Sequence, residues 1–351
     1  MNCSQENSTG NCSNGEENPS EPPLLKTVHD ILLVTLLVAV MFAMGCHITV
    51  KEIWQHIRRP IGVVIGMVSQ FVLLPLSAFG LIQAFGLNAL HGTGMLLLAC
   101  SPGGVTSSIF TYFCDGDISL SITMTACSTL LALGMMPLNV WMYGKNLTTR
   151  NIVIPYAKMA ISLISVTSPV ALGLLVHWKF PKLAAHLTKI GSYAGIAIIV
   201  ICQTMEVFIF PNIFDDVPWL LYLSVVLLPI FGFILGYTSS WLFHQKPAAR
   251  RTIAIESSVQ NVGTSLTVIS LSFPFQIQKS VLLFPWLYAF SMSAICVVIA
   301  ILYKVYIKVF NERKIDVTDV SKEQPAKEHD NKAFTHDDPT NKTLEGYQVQ
   351  K

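Results

Sequence analysis

Thr252-Ile-Ala-Ile-Glu-Ser-Ser-Val-Gln-Asn-Val-Gly-Thr-Ser-Leu-Thr267 interrupts a strongly apolar chain, and its reading decides the fold. It carries one carboxylate, Glu256, two amides, Gln260 and Asn261, a run of hydroxyls and Gly263. Ionisable groups within a bilayer are costly and face a polar interior, so a continuous lipid-facing helix is a poor account of this stretch. It reads instead as a broken helix lining a polar cavity, where freed carbonyls and side-chain oxygens coordinate a cation. The plainer alternative puts Glu256 at the inner interface, five residues beyond Arg251, where it reaches water.

A second polar island, Cys100-Ser-Pro-Gly-Gly-Val-Thr-Ser-Ser108, lies far upstream. Pro102 removes a backbone donor, and Gly103 and Gly104 loosen the helix around it. The hydroxyls of Thr106, Ser107 and Ser108 follow at once. A kinked span packed through small residues is the bland account. The next apolar run holds Ser121 and Thr125, four residues apart and therefore on one helix face. Hydroxyl, amide and carboxylate oxygens are the ligands a hard monovalent cation uses.

The rest of the chain supports a membrane setting. Of 351 residues, 52% are hydrophobic and 13% charged, against roughly a quarter charged in soluble domains. A net charge of +2 argues against a nucleic-acid partner. A helical span needs about 20 apolar residues. Nine candidates occur near 28–50, 61–84, 89–113, 118–143, 153–178, 189–211, 217–243, 252–274 and 281–308. The islands fall in the third and eighth, which run in opposite senses, as paired broken helices do in inverted-repeat transporters. The first 20 residues are polar and show no signal-peptide core, so the first span is expected to act as an uncleaved anchor. Glu206, beside Pro211, and His177, beside Trp178 and Lys179, are expected at interfaces with access to solvent.

Orientation follows from Lys and Arg. With the N-terminus outside, the inner loops hold Lys51, Arg58, Arg59, Lys179, Lys182, Lys189, Lys246, Arg250 and Arg251, and the outer segments Lys26, Lys145, Arg150 and Lys279. The sequons at Asn2, Asn7, Asn11 and Asn146 then lie outside, and that at Asn341 inside. The expected organisation is an extracellular glycosylated tail over 1–27, a membrane domain over 28–310 and a disordered cytoplasmic tail over 311–351, in a plasma-membrane protein. Six cysteines lie in or beside apolar runs, where they read as small buried residues. Cys3 and Cys12 sit in the polar tail, and no metal-binding Cys/His spacing occurs.

Several motifs carry a family resemblance. Met44-Gly-Cys46, His56-Ile-Arg-Arg-Pro60, Gln70 with Leu74-Pro-Leu76, and Ser101-Pro-Gly-Gly104 occur in order. The block Asp115-Gly-Asp-Ile-Ser-Leu-Ser-Ile-Thr-Met-Thr-Ala-Cys-Ser-Thr-Leu-Leu-Ala-Leu-Gly-Met-Met-Pro137 follows, then Glu256, Gln260-Asn261 and Phe284-Pro-Trp-Leu-Tyr288. Over roughly residues 28 to 308 the chain resembles the animal sodium/bile acid cotransporters. Ile152-Val-Ile-Pro-Tyr156 is more similar to their ileal and steroid-sulfate branches than to the liver branch.

The resemblance implies an all-α, nine-helix, inverted-repeat fold with two crossing broken helices. Spans 1, 5 and 6 would form a panel domain, and the rest a core. It implies one sodium site at Ser107, Ser121, Thr125 and Glu256, and another at Gln70, Glu256 and Gln260. Two positions depart from the family pattern. Ser108 stands where the family has Asn, giving a shorter hydroxyl in place of an amide oxygen. Ser258 stands where the family motif has Gly.

The function expected is sodium-driven symport of an amphipathic organic anion, a bile acid or a sulfated steroid. Sodium is then a co-transported substrate, with no cofactor, and the lipid bilayer is the other partner. No sequence feature specifies an oligomeric state. A carrier of the same fold with another solute or altered sodium coupling is the nearest alternative. A multi-span receptor shares the glycosylated tail and topology but leaves the paired islands unexplained. An enzyme lacks support, since neither a metal-ligand cluster nor a nucleophile–base pair is evident in the sequence.

Overall fold

The computed structural model describes residues 24–47, 60–104, 106–145, 147, 155–210, 214–215 and 217–322. Asn2, Asn7, Asn11, Asn146 and Asn341 lie outside them, as do Cys3 and Cys12. Among the described residues every regular element is a helix. In chain order these are α1 (Leu24–His47), α2 (Ile61–Phe85), α3 (Ala89–Ala99), α4 (Ser107–Phe113), α5 (Ile118–Gly144) and α6 (Tyr156–Lys179). There follow α7 (Pro181–Ile209), α8 (Trp219–Leu242), α9 (Pro247–Ser258), α10 (Val262–Ser272) and α11 (Phe275–Lys322).

Length separates two kinds of helix. Among the described residues six are long and apolar enough to cross a bilayer, namely α1, α2, α5, α6, α8 and the Phe275–Val309 part of α11, and α7 has 29 residues. The 24 residues of α1 extend about 36 Å, enough for a hydrocarbon core of about 30 Å. By contrast α3 and α10 have 11 residues each, α9 has 12 and α4 has 7. None of these four spans alone. Within each consecutive pair, α3 with α4 and α9 with α10, the two helices are separated by a short non-helical stretch.

The first helix begins at Leu24, ahead of residue 28, directly after Pro22-Pro23. The last helix is described as far as Lys322.

Local chemistry sets the irregular points. Within α2, Ser69–Leu73 forms a π-turn ahead of Pro75. Pro75 has no N–H for the Phe71 carbonyl, and Asn139 Nδ2 of α5 donates to that oxygen at 2.8 Å instead. The π-turn leaves Gln70 buried. The side chains of Asn88, Asp117 and Asn261 cap α3, α5 and α10 by accepting the N–H of His91, Leu120 and Thr264 at 2.8, 3.0 and 3.0 Å.

α1 packs lengthwise against α6 and α7, and α8 against α9. The α1–α6 contact is close enough that a Cβ on Gly45 would collide with the Val170 carbonyl, and one on Gly173 with that of Phe42. Small residues admit such backbone approach between apolar helices. A cluster of Leu37, Met41, Met44, Val166 and Val170 then seals the pair against Ala126 of α5.

Candidate ion site

The two helix breaks meet backbone to backbone. Gly104 N–H donates to the Val259 carbonyl at 2.8 Å, and Asn261 N–H to the Pro102 carbonyl at 2.9 Å. Together they form an antiparallel bridge between Gly103 and Gln260. Each break thereby supplies backbone partners that the other lost with its helical turn. Only glycine fits. A Cβ on Gly103 would stand 2.6 Å from Glu256 Oε1, and one on Gly104 2.8 Å from the Gln260 carbonyl. The Gly103 N–H is taken by Ser128 Oγ at 3.1 Å.

Glu256 lies beside this bridge, 1% exposed. It is reached by a ladder between α5 and α9 with the four-residue spacing of a helix face. Asp117 N–H donates to Thr252 Oγ1 at 2.7 Å on the first rung. One turn on, Ser121 Oγ donates to Glu256 Oε2 at 3.0 Å, and a further turn on, Thr125 Oγ1 donates to Oε1. At the start of α4, Ser108 Oγ and Ser107 Oγ lie 3.1 and 3.5 Å from Ser121 Oγ. Three helices thus bring Ser107, Ser108, Ser121, Thr125 and Glu256 into one oxygen-rich cluster.

The donors to this buried carboxylate are neutral hydroxyls. A dehydrated carboxylate without a positive partner is costly, so this set of oxygen atoms is chemically suited to a cation. The hydroxyls can turn to accommodate one, since Thr125 Oγ1 also lies 3.0 Å from the Ser121 carbonyl. Turning its hydrogen there frees its lone pairs for the ion.

A second cluster occupies the other side of the crossing. Gln70 Nε2 donates to Gln260 Oε1 at 2.7 Å and to the Ser101 carbonyl at 3.0 Å. Ser101 Oγ lies 3.4 Å from the same Gln260 oxygen. Gln70 Oε1 is buried without a partner. Glu256 hydrogen-bonds within the first cluster and not to Gln70 or Gln260, so the structure brings the two expected groups of residues side by side without a hydrogen bond through the carboxylate. Pro102 accepts at the bridge, Thr106 opens α4 without a side-chain cap bond, and Asn261 caps α10.

Three contributors escaped the sequence reading. Ser128 completes the Gly103 backbone, Ser101 joins the amide pair, and Tyr288 OH donates to the Ser258 carbonyl at 2.7 Å. The signal for Ser128 was its distance of three residues from Thr125, which keeps it on the same face of α5.

One expectation is corrected. Glu206 does not reach solvent: it is 1% exposed, and neither carboxylate oxygen has a hydrogen-bond partner. The cause is that α1 starts at Leu24 and packs along α7, burying both Glu206 and Lys26. Lys26, counted above with the outer segments, is likewise 1% exposed. His177 is half-buried at the end of α6, with Nδ1 2.7 Å from the Cys46 carbonyl.

Two discontinuous helices crossing at a buried, oxygen-lined carboxylate define an ion-coupled membrane carrier. The chain belongs to the sodium bile acid symporter family, whose pattern it matches over residues 34–210. It is 36% identical over 295 residues to the ileal sodium/bile acid cotransporter of Homo sapiens, covering 84% of each chain. To the same transporter of Mus musculus it is 35% identical over 320 residues, 90% of this chain and 92% of the relative. To the sodium-dependent organic anion transporter of Bos taurus it is 39% identical over 251 residues, 71% of this chain and 66% of the relative. This is a family of transporters, not of enzymes, and sodium is its co-transported substrate.

Proposed function

We propose that the protein is a sodium-driven symporter that carries an amphipathic organic anion, a bile acid or a sulfated steroid, across the plasma membrane. The observation that carries this reading is Glu256, buried at the crossing and held by hydroxyls from α5 beside those of α4. One sodium ion would sit among Ser107, Ser108, Ser121, Thr125 and Glu256. A second would use the amide oxygens of Gln70 and Gln260, with Glu256 supplying the nearby negative charge. Family membership and the names of the relatives support sodium as the driving ion and a bile acid or other organic anion as the cargo.

In this reading the chain crosses the membrane nine times, with α3–α4 and α9–α10 each counted once. The N-terminus is outside and the C-terminus inside. Helices α1, α6 and α7 form the panel against which the remaining helices rock. Sodium would draw the two breaks together, and their separation would release ion and cargo on the inner side. Glycan on Asn2, Asn7, Asn11 or Asn146, with Asn341 bare, is the expected topology result.

Ser108 favours one variation, a carrier with altered sodium coupling. Its hydroxyl is spent on Ser121, 3.1 Å away, where the family pattern has a longer amide. The test is uptake of a bile acid and of a steroid sulfate, each in sodium and in choline medium. Uptake of at least one, present in sodium and absent in choline, is expected. Uptake of both that ignores the replacement would overturn sodium coupling, and uptake of neither would overturn the choice of cargo.

A further inference from the structure

Away from the crossing, a second set of charges is buried where α1, α7 and α10 meet. Lys26 donates to Asp30 Oδ1 at 2.6 Å, one turn along α1, and to Ser270 Oγ of α10 at 3.2 Å. Its ammonium also lies 5.7 Å from the centre of the Phe210 ring, just past the end of α7. His29 is fully buried, with Nδ1 3.2 Å from the same Asp30 oxygen and Nε2 without a partner. From α7 comes Glu206, with both oxygens unpartnered, and three residues earlier Gln203, whose Oε1 is also buried and unpartnered. Lys26 and Asp30 are the charged groups within electrostatic reach of Glu206 among the described residues. His29 is the remaining titratable group on that face of α1.

The charges in this set do not cancel. Lys26 hydrogen-bonds to Asp30 and Ser270 and acts on Glu206 only through space, so the set holds two carboxylates against one ammonium. A bare carboxylate in a dry interior requires a positive partner. Glu206 and Gln203 offer oxygen atoms, the ligands that a small hard cation takes. Asp30 is 27% exposed, so the set is not fully enclosed at the first turns of α1.

We propose that Glu206 anchors a further cation site, separate from the Glu256 cluster, which takes one monovalent cation, either sodium or a proton. The site is linked to the crossing. Ser270 belongs to the helix that follows the second break, and Lys26 holds it to α1. Movement of α10 against α1 therefore changes the partners of Lys26 and with them the field at Glu206. Cation occupancy there would bias the same motion that opens and closes the transporter. This consequence rests on the carrier reading above.

Trp286 provides a local reporter, because its indole N–H donates to the Gln203 carbonyl at 3.1 Å. The experiment uses the full-length purified protein, following thermal unfolding and tryptophan fluorescence. Sodium is titrated against choline at fixed pH, and pH is then titrated without sodium. Wild type, Glu206→Gln and Glu256→Gln are compared. Glu206→Gln should keep the sodium response that depends on Glu256. If the occupant is sodium, it should lose a separate sodium-binding step at fixed pH. If the occupant is a proton, its sodium curve should be unchanged and its pH-dependent fluorescence change lost. Both curves superimposed on wild type would overturn the inference.

Lys26→Met gives a second reading that does not depend on the stability of Glu206→Gln. Removing the neighbouring positive charge should tighten the same binding step, and no change or weaker binding would count against the site. A wild type whose sodium response ignores Glu256→Gln would count against the symport reading, while coincident curves for Glu206→Gln and wild type count only against this inference.

Discussion

Glu256 and Glu206 are buried to the same degree, 1% exposed each, in opposite surroundings. Glu256 belongs to a helix that breaks two residues later, and its oxygens are held by hydroxyls from an adjacent helix. Glu206 belongs to a continuous helix, and its neighbours are charged side chains that it does not touch. The difference shows that equal burial of two carboxylates can come with very different sets of neighbouring atoms. A break frees backbone groups and lets a second chain segment approach, so neutral oxygen ligands collect around the charge. Continuous packed helices offer only what their side chains bring, here a lysine already committed elsewhere.

The comparison can be broken most severely at the crossing. Gly103→Val would push a side chain into Glu256 Oε1 and Ser128 Oγ, which leave space only for hydrogen. Overpacking of this kind costs roughly 1–3 kcal/mol. At about 1.4 kcal/mol per decade, sodium-dependent uptake per surface molecule should fall roughly tenfold to a hundredfold. Wild-type uptake by this variant would mean that the breaks need not close on each other.

A milder change sharpens the same side of the comparison. Ser108→Asn places a longer amide oxygen beside Ser121, and one added ligand is worth about 1 kcal/mol. The sodium concentration for half-maximal uptake should fall a few-fold. An unchanged or higher value would show that Ser108 is not at the ion.

The smallest effect belongs to an exposed carboxylate with a direct partner. Asp115, in the turn between α4 and α5, lies 3.0 and 3.1 Å from Lys304 Nζ, with both side chains about half exposed. The hydrogen bond from Lys304 holds its carboxyl below the ordinary value. A depressed value in the folded state contributes stability above the unfolded value, and that contribution is lost as pH falls through the folded one. Solvent screening keeps it small. Asp115→Asn should shift thermal stability near neutral pH only slightly, and should flatten its fall on the acid side. A large loss at neutral pH would show that the turn depends on this pair.

Much of the crossing was legible in the sequence, because membranes make polar residues conspicuous. Pro102, Gly103 and Gly104, and the run from Glu256 to Asn261, stand out of apolar stretches, and the four-residue spacing of Ser121 and Thr125 aims both at one point. What escaped depends on pairing between distant segments. That Ser101 would join Gln70 and Gln260, 31 and 190 residues apart from Gln70 in sequence, follows from the π-turn at Ser69–Leu73 and the bridge at Gly103. Neither is encoded in a local pattern. Glu206 was misplaced for a related reason. Its closeness to Pro211 suggested a helix end open to water, whereas α1 begins early enough for Lys26 and Asp30 to lie against it. The spacing of Lys26, His29 and Asp30 on one face of α1 was the available signal.

The central claim is that sodium coupling resides in the charge of Glu256. The direct measurement is uptake of the transported anion, normalised to surface protein, across a sodium titration for wild type, Glu256→Gln and Glu206→Gln. Glutamine keeps the size and one carbonyl oxygen of each side chain and removes its charge. The account predicts normal surface expression for both variants, collapse of sodium-dependent uptake in Glu256→Gln, and substantial uptake retained by Glu206→Gln. Near-normal sodium-dependent uptake by Glu256→Gln would contradict it.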